Sequence, residues 1–233
     1  TNGTSTDIDG KYQLNAPAKG TLVFTMVGMK EVTMPVNNRS VINAIMEEDS
    51  EGFWYPRVDS QKCIQCGLCE KVCPVLHSVE ESGEMLLAYA ARNRNEEVRH
   101  ASSSGGVFTL LAEAVIADGG VVFGAEFAEN LSVVHGFVGS AEDLAKFRGS
   151  KYVQSRIGET YVQAKAFLEQ GKPVLFTGTP CQIEGLKTYL GRDYDKLYCQ
   201  DIICHGVPSP KVWKTYLTFM EKKHDTVVQT AFF

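Results

Sequence analysis

The chain has 233 residues, 44% of them hydrophobic and 22% charged, which is close to the average for soluble globular proteins and enough for one large domain or several small ones. Its net charge of −5 argues against nucleic acid or an anionic membrane surface as partner, because both favour a basic protein face. The longest apolar runs, such as residues 110–117, are far shorter than the roughly 20 residues that span a bilayer, so we predict no membrane span.

Residues 1–48 differ from the rest of the chain because apolar and polar side chains alternate along them, as in β-strands. The alternation is clearest at Leu22, Phe24 and Met26, and again at Val32, Met34 and Val36. Turn-forming pairs such as Asp9-Gly10 separate the runs, so we predict a small antiparallel β unit. The acidic residues 47–52 are interpreted as a linker to the next segment.

Two segments of this unit carry a resemblance to a known family. Residues 3–12 (Gly-Thr-Ser-Thr-Asp-Ile-Asp-Gly-Lys-Tyr) and 21–24 (Thr-Leu-Val-Phe) resemble the carboxypeptidase-regulatory-like domain that precedes the plug of SusC-type TonB-dependent outer-membrane receptors. The resemblance covers residues 1–48 and implies a β-sandwich fragment. In that family, further strands would precede Thr1.

A cysteine cluster follows within residues 53–83. Cys63, Cys66, Cys69 and Cys73, the last followed by Pro74, fit the bacterial ferredoxin pattern C-x2-C-x2-C-x3-C-P. Spacing by three residues curls the backbone so that successive thiolates point at one 4Fe–4S cluster. The alternative is a zinc site, but zinc sites normally pair two C-x2-C units across a longer loop. Because thiolate ligands require a reducing compartment and no signal-peptide pattern opens the sequence, we expect a cytoplasmic protein.

The fourth ligand of the cluster stays open at this point. In two-cluster ferredoxins the fourth cysteine of each run ligates the other cluster, and this sequence has no second run. Either Cys73 completes the single cluster, or one of the three remaining cysteines does: Cys181, Cys199 or Cys204.

Residues 84–233 have the pattern of an α/β domain. Helices are predicted over Val107–Ala117 and over residues 158–169, 183–190 and 211–222. Strands are predicted over residues 120–124, 131–137, 173–177 and 197–203. Strands separated by helices of this length imply a largely parallel sheet, so the whole chain is predicted to be a multi-domain α/β protein.

A loop rich in serine and glycine precedes the helix Val107–Ala117. Its residues are Ser103, Ser104, Gly105 and Gly106. Hydroxyl groups and the unpaired N–H groups of a helix start can hold a phosphate, and glycines let it approach the backbone. The alternative is an ordinary serine N-cap with no ligand.

Three further loops are predicted to lie near a ligand. Residues 178–181, which include Thr179 and Cys181, follow one predicted strand, and residues 204–208 follow the next. Because open α/β sheets bind ligands at the carboxyl ends of parallel strands, both loops are expected at one edge. Residues 148–152 add Arg148 and Lys151 beside a glycine, although a solvated basic turn would look the same.

The order of these motifs resembles the coenzyme F420 hydrogenase/dehydrogenase beta-subunit family over residues 51–233. The matching segments are residues 51–56, 63–73, 102–108, 148–154, 177–182 and 201–210. The resemblance implies an iron–sulfur flavoprotein that binds FAD and passes electrons between a 4Fe–4S cluster and a substrate. It places the flavin among Ser103, Ser104, Gly105, Gly106, Lys151, Thr179 and Cys181. The family's redox partner would be another protein or a small electron acceptor.

The sequence departs from that family in two places. Many relatives have a second cysteine run upstream of residues 53–56, and they continue beyond Phe233, so the domain is expected to be truncated. Cys204 and His205 are the candidate catalytic residues, with His205 as a proton relay, although a structural histidine fits equally well. Two other functions stay open: a 4Fe–4S electron carrier without flavin, or an envelope-receptor-associated fragment.

Overall fold

The computed structural model of the protein describes residues 21–24, 32–35, 44–58 and 87–233. The predicted cluster cysteines at positions 63, 66, 69 and 73, and most of the predicted N-terminal β unit, lie outside the described residues. The chain forms two compact units. The first comprises Thr1–Ser82 and Glu184–Asp193, and the second comprises Gly83–Ile183 and Tyr194–Phe233.

Two antiparallel strand pairs are described in the first unit. β1 (Thr21–Phe24) pairs with β2 (Val32–Pro35), where the alternation of side chains predicted strands. β3 (Ala44–Glu48) pairs with β4 (Trp54–Val58). These pairs agree with a β unit, while the predicted β-sandwich itself stays a prediction.

The segment that joins β3 to β4 was expected to be an acidic linker, and it is instead the turn of a hairpin. The Asp49 carboxylate accepts hydrogen bonds from the backbone N–H groups of Glu51 (3.0 Å) and Phe53 (2.8 Å). Gly52 has a φ of 88°, a conformation that favours glycine. The acidic side chain therefore closes the turn, and the chain does not run on as an extended connection.

The second unit is an α/β domain. Its helices are α1 (Glu96–His100), α2 (Val107–Ala117), α3 (Thr160–Glu169), α4 (Pro180–Leu190) and α5 (Pro210–His224). The residues of α4 from Glu184 onward belong to the first unit. A 3-10 helix spans Glu142–Phe147. Its strands are β5 (Val121–Phe127), β6 (Val133–Val138), β7 (Val174–Gly178) and β8 (Leu197–Asp201). They form a sheet in the order β6-β5-β7-β8. β5, β7 and β8 are parallel and β6 is antiparallel to β5, which confirms the predicted mixed α/β fold with a mostly parallel sheet.

Apolar side chains cover both faces of this sheet. On one face, residues of α2 and the 3-10 helix pack against the strands in a buried cluster of Ala112, Val115, Val122, Val138, Leu144, Phe147 and Leu175. Gly124 makes this packing possible, because a Cβ there would lie 2.9 Å from the Phe147 ring. On the other face, the Phe123 ring packs against the rings of Phe137 and Phe176, with ring-centroid distances of 5.4 Å and 5.3 Å. Successive side chains of a strand point to opposite faces of the sheet, so the apolar residues on each face determine where the helices pack.

The carboxyl ends of the parallel strands meet at one edge of the sheet. Gly178, the last residue of β7, is paired with Asp201, the last residue of β8, and its carbonyl accepts a hydrogen bond from Ile202 N (3.2 Å). The loops that follow both strands therefore leave the same edge, as predicted. Among the residues that the structure describes, no helix is long and apolar enough to cross a membrane.

Candidate functional site

One connecting segment, residues 148–156, contacts the serine-glycine loop, the loop after β8, and the first turn of α4, which continues from the loop after β7. Three hydrogen bonds make these contacts: Ser150 N to Ser103 Oγ (2.7 Å), Gln154 N to Pro208 O (3.1 Å), and Gln182 Nε2 to Ser155 Oγ (2.8 Å). We call residues 148–156 the strap. It brings the serine-glycine loop, the loop after β7 and the loop after β8 to one side of the second unit.

The N-terminus of α2 has no side-chain cap. The cap residue is Gly106, in the left-handed conformation with a φ of 70°, and no side-chain cap hydrogen bond is formed there among the described residues. The serine N-cap that we considered for this helix is therefore wrong. Ser103 and Ser104, just before this helix start, are exposed, and Ser103 Oγ accepts the hydrogen bond from Ser150 N. A helix start of this kind can bind an anion.

A cation also lies at this helix start. Arg148 Nε donates a hydrogen bond to Thr109 Oγ1 (3.1 Å), in the first turn of α2. That turn contains no acidic residue. A guanidinium beside the positive end of a helix dipole costs on the order of 1 kcal/mol or less, and an anion bound there would offset that cost. Arg148 belongs to the loop 148–152 that the sequence predicted near a ligand, with a solvated basic turn as the alternative.

Gly105 serves the protein's own packing. A Cβ at this position would lie 2.7 Å from the Ala91 carbonyl oxygen, and Gly105 O accepts a hydrogen bond from Asn93 N (2.6 Å). Glycine is therefore required here whether or not a phosphate approaches. The sequence predicted that this glycine lets a phosphate approach the backbone. The packing against residues 91–93 is by itself sufficient to require glycine at position 105.

Lys151 is also engaged within the protein. Its ammonium donates to three backbone carbonyls, those of Lys146 (3.0 Å), Arg148 (2.9 Å) and Gly149 (3.2 Å). Burial lowers the pKa of Lys151 to about 8, and the nearby Glu126 carboxylate offsets part of that effect. An ammonium has three N–H donors, so these contacts can occupy all of them. Lys151 thus holds the turn that carries Arg148 and Ser150.

The loop after β7 places Thr179 and Cys181 together. Thr179 Oγ1 lies 3.1 Å from Cys181 Sγ, and Thr179 N donates to Gln182 Oε1 (2.9 Å). Cys181 is exposed in the first turn of α4. The candidate catalytic residues Cys204 and His205 are exposed in the loop after β8.

The three cysteines outside the cluster motif do not form a metal site among themselves. Cys199 lies on β8, whereas Cys181 and Cys204 lie in the loops beyond β7 and β8. Within residues 87–233 and the other described ranges, no group of three or more His, Cys, Asp or Glu side chains is placed to hold a metal ion. The predicted ligands Cys63, Cys66, Cys69 and Cys73 lie outside those ranges.

His135 is a buried residue at this edge that is not among the predicted site residues. Its Nε2 is 3.1 Å from Thr177 O, and its ring stacks on Phe176 at 5.8 Å. A carbonyl only accepts, so Nε2 carries the proton and Nδ1, which has no partner among the described residues, is a bare acceptor. Burial lowers the pKa of His135 to about 4, with a further contribution from the Lys151 charge. Its alternating position on β6 was the only signal in the sequence.

Comparison with known proteins shows what this arrangement resembles. Residues 88–160 match the family model described as coenzyme F420 hydrogenase/dehydrogenase, beta subunit N-term, and residues 171–232 match the companion model for the C terminus of the same beta subunit. Residues 55–79, which contain the four motif cysteines, match a 4Fe–4S binding domain. These matches support the predicted family and the predicted iron–sulfur segment. None of these models covers residues 1–48, so the SusC-like resemblance stays a prediction.

A solved structure is similar to part of the chain. It belongs to the F420-reducing NiFe hydrogenase complex from Methanosarcina barkeri, at 23% identity and a TM-score of 0.43. The similarity covers 55% of this chain and 49% of that chain, so the present chain spans about half of its length. No curated protein sequence gives a match.

Proposed function

We propose, from the match of residues 88–160 and 171–232 to both parts of the F420 hydrogenase/dehydrogenase beta-subunit family, that this chain passes electrons between a 4Fe–4S cluster and FAD. The match of residues 55–79 to a 4Fe–4S binding domain supports the cluster half of the proposal. When bound, a cluster moves single electrons and a flavin moves electrons singly or in pairs. The further electron acceptor would be a redox partner protein or a small molecule, and we propose a cytoplasmic location.

The observation that carries the FAD half is the uncapped, positively charged start of α2. Its N–H groups, the partial positive charge of the helix and the Arg148 guanidinium all favour an anion at the same place. The diphosphate of FAD supplies such an anion. Ser103 Oγ accepts a hydrogen bond from Ser150 N, so its own hydroxyl hydrogen stays available as a donor toward the ligand.

Within this proposal Lys151 acts indirectly. Its three bonds to backbone carbonyls hold the turn from which Arg148 reaches Thr109 and Ser150 reaches Ser103. Thr179 and Cys181 stand at the carboxyl edge of the sheet, where ligands of open α/β sheets bind. They would contact the bound flavin from that edge.

The alternative is a 4Fe–4S electron carrier that binds no flavin. Two observations favour it: packing against Ala91 is sufficient to require Gly105, and the Lys151 ammonium is occupied by carbonyls. Neither observation accounts for a guanidinium beside an uncapped helix start. The FAD proposal accounts for it, and for that reason it is preferred.

The Arg148→Ala variant tests the proposal. Loss of a charge-assisted hydrogen bond to the diphosphate should weaken FAD binding on the order of 10- to 100-fold. Affinity is measured by titrating FAD into apoprotein and following flavin fluorescence. The matched control is Lys172→Ala, because Lys172 is exposed just before β7 at the opposite edge of the sheet. Equal affinities for Arg148→Ala and wild type, with the control also unchanged, would refute this placement of FAD.

A further inference from the structure

Gln182 forms hydrogen bonds with three parts of the chain around the site. Its side-chain oxygen accepts from Thr179 N (2.9 Å) and its side-chain nitrogen donates to Ser155 Oγ (2.8 Å). Its backbone carbonyl accepts from the hydroxyl of Tyr161 on α3 (2.7 Å). One residue therefore joins the loop after β7, the strap and a neighbouring helix.

The chain is shaped to admit this side chain. A Cβ on Gly178 would lie 2.9 Å from Gln182 Oε1 and 3.2 Å from its Cβ, so the amide lies directly over the glycine. Both ends of the amide are used, the oxygen as acceptor and the nitrogen as donor. The glutamine amide offers an acceptor and a donor on one uncharged group, and asparagine would be one methylene too short to place them in the same way.

From these contacts we infer that Gln182 is a positioning residue: its amide fixes the Thr179–Cys181 turn against the strap, so that both loops face a ligand in one fixed arrangement. The inference rests on the proposed function, because FAD is the ligand that the two loops would share. Thr179 and Cys181 would touch the ligand themselves, whereas Gln182 acts through them. Loops that are already ordered before the ligand binds raise its affinity, because they lose less conformational entropy on binding.

The experiment has one arm that needs no ligand. Gln182→Met keeps the length of the side chain but removes both hydrogen bonds, and amide hydrogen exchange of the 177–183 segment is followed by mass spectrometry in apoprotein. Exchange at Thr179 should become at least about tenfold faster, because its N–H loses its acceptor. Gln182→Glu keeps that acceptor and should retain wild-type protection. Gly178→Ala, which displaces the amide without deleting it, should also speed exchange.

The second arm measures FAD affinity in the same proteins. Gln182→Met should weaken binding by about tenfold, while the control Gln170→Met, at the exposed end of α3, should stay within about threefold of wild type. Unchanged exchange in both Gln182→Met and Gly178→Ala would overturn the inference. So would faster exchange with unchanged FAD affinity, since Gln182 would then only stabilise the turn. If wild-type protein binds no FAD, the proposed function fails, and the exchange arm alone decides whether Gln182 fixes the turn.

Discussion

The buried imidazole of His135 should make the protein less stable in weak acid. In the folded protein its pKa is lowered from 6.5 to about 4, mainly because burial disfavours the charged form. The unfolded chain therefore binds more protons than the folded chain between these two values. The contribution of His135 to the free energy of unfolding is therefore fully present above pH 6.5. This contribution is lost as the pH is lowered from 6.5 towards 4.

The magnitude follows from the two pKa values. A difference of one pKa unit corresponds to about 1.4 kcal/mol. With a pKa of 6.5 in the unfolded chain and about 4 in the folded protein, the free energy of unfolding should fall by about 2 kcal/mol between pH 7 and pH 5. The Lys151 charge acts in the same direction as burial because it repels a second positive charge, whereas the hydrogen bond to Thr177 O raises the pKa and offsets part of the effect of burial. Protonation would also place a donor on Nδ1, which has no acceptor among the described residues.

The assay is urea unfolding at pH 7 and pH 5, carried out anaerobically for wild type and His135→Phe. Phenylalanine keeps the stack on Phe176 but does not titrate, so the variant should lose about 2 kcal/mol less than wild type across this range. At pH 7 the two proteins should differ little, because the lost hydrogen bond to Thr177 O is offset by removal of a bare acceptor. His205→Phe is the matched control, since His205 is exposed, and it should behave as wild type. Identical pH dependence in wild type and His135→Phe would refute the argument.

Three other substitutions test separate parts of the account. Cys66→Ser should lower the iron and sulfide content after anaerobic purification, because losing one thiolate opens an iron coordination site; wild-type iron in this variant would refute the cluster assignment. Gly124→Ala should lower the free energy of unfolding by about 1–3 kcal/mol in denaturant titrations, because the new methyl lies 2.9 Å from the Phe147 ring, and an unchanged midpoint would contradict that packing. Lys151→Met should weaken FAD binding by roughly tenfold through loosening of the turn that carries Ser150, and unchanged affinity would show that the turn holds without the ammonium.

Much of the second unit could be predicted from local patterns. The helix Val107–Ala117 has the predicted bounds, because it begins after glycines and ends before Asp118-Gly119-Gly120. The strands β5, β7 and β8 were predicted from short apolar runs. Their parallel arrangement then placed the loops after β7 and β8 at one edge, which the pairing of Gly178 with Asp201 confirms.

The features that sequence reasoning missed depend on contacts between distant residues. His135 acquires its role from Thr177, which lies 42 positions along the chain, and a lone histidine on a strand gives no sign of that partner. The packing of Gly105 depends on the position of the Ala91 carbonyl. The contacts of Lys151 depend on the end of the preceding 3-10 helix, where the Lys146 carbonyl accepts its hydrogen bond. Local composition likewise predicted a linker at residues 47–52, where pairing of β3 with β4 makes a hairpin.

The cofactor content of anaerobically purified protein tests the central claim most directly. Iron and acid-labile sulfide are assayed, and the flavin released by denaturation is identified by chromatography. The account predicts roughly four iron and four sulfide per chain together with about one FAD. Protein that contains the cluster but neither contains nor binds FAD would contradict the proposed electron path between the two, and would leave the flavin-free electron carrier in its place.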